Sequence, residues 1–155
     1  MANKIRILVI GKAHDKMFAN AISEYEKRLA PHLKVQWIIT PPKTEATSLL
    51  TVTSESNTML ASLKEAEFVI LLDEHGEPMT SPKFSKTLTD AMANYKDVAF
   101  IIGGAYGVSD ELKARANAVV SFGKMVLPHQ LMRLVLIEQL YRAVSIHNGS
   151  EYHHD

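Results

Sequence analysis

Short apolar runs rich in β-branched residues recur along this chain of 155 residues, and amphipathic segments separate them. The first run, residues 5–10, is apolar apart from Arg6, as expected of a strand that is covered on both faces. In residues 16–30, apolar side chains recur at helical spacing. This alternation predicts an α/β fold with a mainly parallel sheet flanked by helices, and we expect residues 1–155 to form that single domain.

The same patterns give bounds for the individual elements. Strands are predicted at residues 5–10, 35–40, 68–72, 98–102 and 119–122, and helices at 16–30, 59–66, 82–95, 110–116 and 129–146. The exception is residues 43–58, because eight of the fifteen residues from Thr44 to Thr58 are Ser or Thr. Such side chains compete for backbone hydrogen bonds. A mobile or partly ordered connection is therefore predicted there, with a flexible loop favoured over a substrate lid.

Composition excludes several classes of protein. A chain that is 46% apolar and 22% charged is neither disordered nor low in complexity. The absence of cysteine excludes a disulfide framework and a thiolate metal site. No apolar run approaches the ~20 residues of a membrane helix, so we expect a soluble, cytoplasmic protein without a membrane partner.

Charge is balanced overall, with 17 basic and 17 acidic residues, but it is unevenly distributed. Residues 1–40 contain seven Lys or Arg and only three Asp or Glu. A solvated helix face is the favoured interpretation of this excess, and contact with phosphates is the alternative.

Unusual residues follow three of the predicted strands. These segments are LDEHG at 72–76, IIGGAYG at 101–107 and SFGKMVLPH at 121–129. In open α/β sheets ligands bind beyond the carboxyl ends of the strands, so the three segments are predicted to line one pocket. The glycines allow close approach of the backbone to a ligand, although a tight turn alone would also explain them. Their spacing is neither the dinucleotide fingerprint nor a phosphate loop.

The last predicted helix carries an arginine on its apolar side. Arg133 shares a stripe with His129 and with Leu136, Ile137, Leu140 and Val144, whereas Glu138, Gln139 and Arg142 lie elsewhere. A buried guanidinium requires a partner, which would be a carboxylate of this or a partner chain, a ligand carboxylate or an RNA phosphate. The helix is apolar over so much of its surface that a homo-oligomer is favoured.

The chain ends in the residues YHHD. Terminal residues commonly fray, so disorder is expected from Asn148 onward. The adjacent His153 and His154, with Asp155, lack the spacing of a metal site, and no metal is predicted.

Several segments together resemble the RlmH family of SPOUT-class methyltransferases, which act on the bacterial large ribosomal subunit. They are KIRILVIGK, EYEKRL, FIIGGAYG, SFGKMVLPHQLMRLVLIEQLYRA and the closing YHHD. The resemblance spans essentially the whole chain in order, and residues 121–143 are its most specific part. It implies an α/β knot with a C-terminal trefoil knot, and a homodimer with active sites near the interface. It further implies methylation of N3 of a pseudouridine in 23S rRNA of assembled ribosomes, with S-adenosyl-L-methionine as cofactor.

The resemblance also assigns residues. By position, the cofactor-binding residues of the family match Leu72, Gly103, Phe122, Gly123, Lys124, Met125, Val126 and Leu127. The candidates for catalysis are His129, Arg133, Tyr152 and His153. Arg133 would stabilise negative charge on the base or hold a phosphate, and Tyr152 and His153 would pack against the base or deprotonate it, from either subunit.

Three other functions stay open at this point. The first is a noncatalytic factor of the same fold that binds ribosomes or assists their assembly. The second is an α/β enzyme for another nucleotide-like ligand, and the third is a tRNA methyltransferase.

Overall fold

One parallel sheet of five strands organises the protein, and a computed structural model describes residues 3–154, with Asn3 described by its backbone alone. The strand order is β2-β1-β4-β3-β5, and every neighbouring pair is parallel. The elements are β1 (Asn3–Ile10), α1 (Lys16–Leu29), β2 (Leu33–Thr40), α2 (Ser48–Ser62), β3 (Phe68–Pro78), α3 (Ser81–Asn94), β4 (Asp97–Ile102), α4 (Asp110–Arg115), β5 (Ala118–Ser121) and α5 (His129–His147). The predicted α/β class and parallel sheet are confirmed, and the knot stays a prediction.

Helices cover both faces of the sheet, which explains why its strands are continuously apolar. On one face, α1, α3 and α5 pack over a core that includes Phe84, Phe100 and Leu136. On the other face, α2 and α4 contribute Met59 and Leu112. Within residues 3–154, no helix combines the length and hydropathy that crossing a bilayer requires.

The third strand is longer than its apolar run predicts. Pairing with β5 is interrupted after Leu72 and resumes at Glu77, so residues 73–76 form a bulge rather than the loop that ends the strand. A Cβ on Gly76 would lie 2.8 Å from the backbone of Val119, which leaves room only for glycine. The prediction that β3 ends at residue 72 is therefore wrong, because pairing to β5 extends the strand beyond its buried part.

The Ser/Thr-rich segment is a helix, so the predicted mobile connection is wrong. Helix α2 begins at Ser48, where the hydroxyl of the preceding Thr47 accepts the N–H of Leu50 at 3.1 Å. Further along, three hydroxyl groups donate to carbonyl oxygens four residues earlier, from Thr53, Thr58 and Ser62. These side chains are thus satisfied on the helix itself and do not unravel it.

Tertiary hydrogen bonds explain why a helix of this composition docks on the sheet. The buried side of α2 presents polar acceptors to backbone N–H groups of two neighbouring loops. The bonds are Glu45 N–H to Thr51 Oγ1 (3.2 Å), Lys43 N–H to Glu55 Oε2 (3.1 Å) and Ser109 N–H to Ser56 Oγ (2.8 Å). The polar sequence of α2 therefore reflects a helix that fixes loops.

Replacing Ser56 by alanine tests this role of α2. Ser56 is fully buried, and without its hydroxyl the N–H of Ser109 loses its acceptor. We expect S56A to lower the free energy of unfolding by about 1–3 kcal/mol, measured by urea denaturation. The half-buried Ser54 is the matched control, and S54A is expected to change it by less than about 0.5 kcal/mol. Equal losses in the two variants would contradict the assignment.

Helix α5 follows its prediction closely. It begins at His129 directly after Pro128 and ends at His147, and Gly149 beyond it has a φ of +71°. Its predicted apolar stripe is buried, and Arg133 in that stripe is only 1% exposed.

Candidate functional site

The carboxyl ends of β4, β3 and β5 enclose a cavity of about 670 Å³. All three predicted segments contribute to its walls, although residues 72–75 lie within β3 rather than after it, so the predicted pocket exists. Its volume lies within the range of small-molecule sites, about 300–1,000 Å³. Eight of the predicted site residues line it, namely Leu72, Gly103, Phe122, Gly123, Met125, Val126, Leu127 and His129. Lys124, Arg133, Tyr152 and His153 do not line it.

The glycine-rich turn forms one wall. Gly107 has a φ of +84° and donates its N–H to the carbonyl oxygen of Gly104 at 3.1 Å. A Cβ on Gly103 would lie 2.8 Å from Cγ1 of Val108. Because these positions lack side chains, a ligand meets bare backbone along this wall.

The segment between β5 and α5 forms the facing wall. Gly123 takes a φ of +135°, and Ser121 stabilises the turn by donating to the carbonyl oxygen of Gly123 (2.9 Å) and accepting its N–H (3.1 Å). Met125 and Val126 are 83% and 79% exposed at the cavity rim. Large apolar side chains left in solvent beside a cavity are typical of a binding surface.

The bulge in β3 gives the cavity an acidic side. Asp73, Glu74 and His75 line it, and the Oδ1 of Asp73 lies 3.0 Å from Nδ1 of His75. Potential metal-ligand atoms of these three residues lie within 4.8 Å of one another. The side chains of Glu74 and His75 are exposed, and we assign no metal to this group. Its negative charge favours a cationic ligand in the cavity.

Four lining residues lie outside the predicted segments and sites, namely Leu71, Val108, Lys113 and Met132. Lys113 projects from α4, and Met132 lies one helical turn beyond His129 on α5. Helical spacing from His129 was the only signal for Met132. The sequence offered none for Lys113, because the packing of α4 decides which of its residues faces the cavity.

Arg133 is buried beneath the loop that follows β1. Its Nη1 donates to the carbonyl oxygen of Lys12 at 2.8 Å and lies 3.3 Å from Nδ1 of His14, while Nε has no partner within residues 3–154. Burial lowers the pKa of Arg133, and the charge of Asp15 partly opposes this. Among the residues the structure describes, no carboxylate forms an ion pair with it. The carboxylate partner within its own chain is therefore not observed.

Burial next to Arg133 couples the protonation of His14 to folding. Burial, followed by the charge of Arg133, lowers the pKa of His14 below its usual 6.5. As the pH falls through 6.5, the unfolded chain binds this proton before the folded protein does, so stability is retained above pH 6.5 and is lost progressively below it. We expect the urea midpoint of the wild type to fall more steeply between pH 7 and 5 than that of H14Q. The exposed His147 is the control, and a slope for H147Q as shallow as for H14Q would contradict this assignment.

The structure describes the tail as far as His154, and Tyr152 and His153 are half-buried against α5, so the expected disorder is wrong for these two residues. Asp155 lies outside the described residues. The ring of Tyr152 lies edge-on to Tyr141 with centroids 4.7 Å apart. Its hydroxyl donates to Oε1 of Glu138 at 3.2 Å, and Arg142 stacks over the ring at 4.8 Å. Nη1 of Arg142 lies 3.1 Å from Nδ1 of His153.

These contacts keep the phenol of Tyr152 protonated. Burial, followed by the hydrogen bond with Tyr25, raises the pKa of Tyr152 well above its usual value. The tail thus presents a phenol and an imidazole on the polar side of α5, away from the cavity of the same chain.

Comparisons with known proteins agree with this architecture. The family model "Predicted SPOUT methyltransferase" matches residues 3–153. The ribosomal RNA large subunit methyltransferase H of Streptococcus gordonii is 43% identical over 157 residues, which cover 97% of this chain and 99% of the relative. The protein of the same name from Lactobacillus delbrueckii is 40% identical over 156 residues, covering 96% and 98%.

A solved structure shows the likeness of fold. The probable methylase family protein of Haemophilus influenzae superposes with a TM-score of 0.56 at 12% identity, covering 97% of this chain and 70% of that one. Because the family model and the relatives each match nearly the whole length of this chain, it belongs to the SPOUT methyltransferase family.

Proposed function

We propose that this protein uses S-adenosyl-L-methionine to methylate N3 of a pseudouridine in 23S rRNA, acting in the cytoplasm on assembled ribosomes. The observation that carries the proposal is the single cavity formed by the three loops at the carboxyl edge of the sheet. Relatives that match nearly the whole chain are named as methyltransferases of large-subunit ribosomal RNA, which supports this substrate.

The cavity fits the proposed cofactor in shape and charge. Apolar side chains such as Phe122 and Leu127 suit an adenine ring, and the bare backbone at Gly103 permits close contact. Asp73 and Glu74 suit the positive charges of a sulfonium and an ammonium group. When bound, this cofactor supplies a methyl group that is already activated by the sulfonium. Leu72, Gly103 and residues 122–127 would hold it, with Lys124 outside the cavity wall.

The remaining requirement is to position the base and remove its proton. Holding the reacting atoms in line raises the rate of methyl transfer, because the step becomes effectively intramolecular. A positioned base raises this rate by a further ~10²–10⁴-fold. Of the four catalytic candidates, His129 lines the cavity, and it would accept the N3 proton. Arg133 would act on the negative charge of the base or on a phosphate through the loop of Lys12 and His14 that covers it.

We further propose a homodimer in which each cavity is completed by the tail of the partner subunit. Tyr152 and His153 pack against the polar side of α5 in their own chain, outside their own cavity. A catalytic role for them therefore requires delivery to a second subunit.

Methylation of ribosomes from a strain lacking this protein tests the proposal. Purified protein is incubated with S-adenosyl-L-methionine and one of four substrates: assembled ribosomes, large subunits, naked 23S rRNA or tRNA. Mass spectrometry is expected to find one added methyl on a pseudouridine of 23S rRNA, with the highest yield on assembled ribosomes. Methylation of tRNA alone would favour the tRNA enzyme, and ribosome binding without methylation would favour a noncatalytic factor.

A further inference from the structure

Helix α2 places an acidic side chain in an unfavourable position behind the glycine-rich turn. Glu55 is only 3% exposed. Its Oε2 accepts the N–H of Lys43 at 3.1 Å, whereas its Oε1 is buried and has no hydrogen-bond partner within residues 3–154. Burying a carboxyl oxygen without a partner opposes folding. A group that weakens the fold in this way points to a function in another state of the protein.

The unpartnered oxygen is directed at the cavity wall. A Cβ on Gly104 would lie 2.6 Å from Oε1, and the next two nearest atoms also belong to Glu55, at 3.3 and 3.5 Å. Gly104 has no positive φ, so its backbone would accept a side chain without strain. Glu55 is therefore the first group that a side chain at position 104 would meet, and Gly104 itself lines the cavity.

We propose that Glu55 is a positioning residue for the methyl donor, an inference that rests on the function proposed above. One carboxyl oxygen anchors the loop after β2 through Lys43, and the other supports the turn of residues 103–107 from behind. Once the donor is bound, Oε1 accepts a backbone N–H of this turn. Glu55 does not line the cavity, so it acts through the turn and does not touch the ligand.

This role requires that Oε1 of Glu55 be unpaired before the donor binds and paired afterwards. In the free protein the oxygen is unpaired, and pairing on binding removes that penalty only when the donor is present. A ligand shifts an equilibrium by its differential affinity for the two states, so the new hydrogen bond adds to donor affinity. One hydrogen bond to a buried acceptor corresponds to roughly tenfold in the dissociation constant.

Calorimetry with S-adenosyl-L-methionine tests the role of the side chain. E55A is expected to raise the dissociation constant about tenfold, whereas its thermal midpoint reflects two opposing effects, because the lost bond to the Lys43 N–H destabilises the loop and the loss of an unpaired buried oxygen stabilises it. In methylation assays the KM for the donor should rise about tenfold, with kcat and the KM for ribosomes within about twofold. A role confined to stability would change the thermal midpoint but leave the dissociation constant and the KM for the donor unchanged. The exposed Glu45 supplies the control, since E45A makes the same change of charge in the loop between β2 and α2.

A double-mutant cycle with Gly104 keeps the test decisive if E55A is less stable. G104A alone is expected to weaken donor binding about tenfold or more, because its Cβ displaces Oε1. In the E55A background the same change should add less than about twofold, since the three atoms nearest to the new Cβ are gone. G103A is the matched control, because its Cβ meets Val108 and would not be relieved by E55A.

The outcomes separate this inference from the proposed function. Wild-type affinity in E55A, or an equal effect of G104A in both backgrounds, overturns the role of Glu55. Failure of the wild-type protein to bind S-adenosyl-L-methionine overturns the assignment of the cavity instead.

Discussion

Ending the chain at Gly149 is expected to lower the rate of methyl transfer about 100-fold or more, while the affinity for S-adenosyl-L-methionine stays within about twofold. The first effect follows because the deletion removes Tyr152, whose protonated phenol is available to position the base, and His153, which is available to position or deprotonate it. The second follows because neither residue lines the cavity of its own chain. Single-turnover methylation of ribosomes measures the rate, and calorimetry measures the affinity.

Mixed dimers decide which subunit supplies the tail. A truncated subunit with an intact cavity is combined with a full-length subunit whose cavity is blocked by G103V. If the tail acts on the partner, one complete site forms and activity returns to roughly half that of the wild type on statistical grounds. Activity no higher than that of the truncated protein alone would contradict delivery between subunits, and full activity of the truncated homodimer would remove the tail from catalysis.

Replacing Glu67 by alanine is expected to lower the free energy of unfolding by about 3–5 kcal/mol, the largest stability effect anticipated here. Glu67 is 2% exposed and accepts two hydrogen bonds from Nη1 of Arg6, at 2.9 and 2.7 Å. It also accepts the N–H of Lys64 at 3.0 Å. Without the carboxylate, Arg6 stays buried at 7% exposure with an uncompensated charge. Urea denaturation at pH 7 measures the change.

Two further variants separate the buried charge from simple loss of packing. The exposed Glu65 provides the control, because E65A is expected to change stability by less than about 0.5 kcal/mol. The double variant R6M/E67L replaces the pair by apolar side chains and is expected to recover most of the loss. A loss below about 1 kcal/mol for E67A, or no recovery in the double variant, would contradict the assignment.

The sequence predicted those parts of the fold in which burial and periodicity agree. The continuous apolar runs of β1 and β4 and the stripe of α5 were found because an apolar core decides each of them. Helix α2 was missed because Thr51, Glu55 and Ser56 stabilise it by accepting backbone N–H groups from the loop before α2 and the loop before α4. No local propensity records such tertiary bonds.

The same distinction applies to the cavity. The rule that ligands bind beyond the carboxyl ends of parallel strands predicts that its three segments lie together. Lys113 and Glu55 were not found, because their places depend on how α4 and α2 pack. The extension of β3 past Leu72 depends on pairing with β5, which a single strand does not reveal.

The position of β1 between β2 and β4 has a consequence for synthesis. Its pairing with β2 needs only the first forty residues, but its other edge must wait for β4, which begins at Asp97. At about 5–20 residues per second, translation from Thr40 to Asp97 leaves that edge open for roughly 3–11 seconds. During this interval the nascent chain exposes unpaired amide and carbonyl groups beside apolar side chains. An unpaired strand edge of this kind is a template for pairing with another chain.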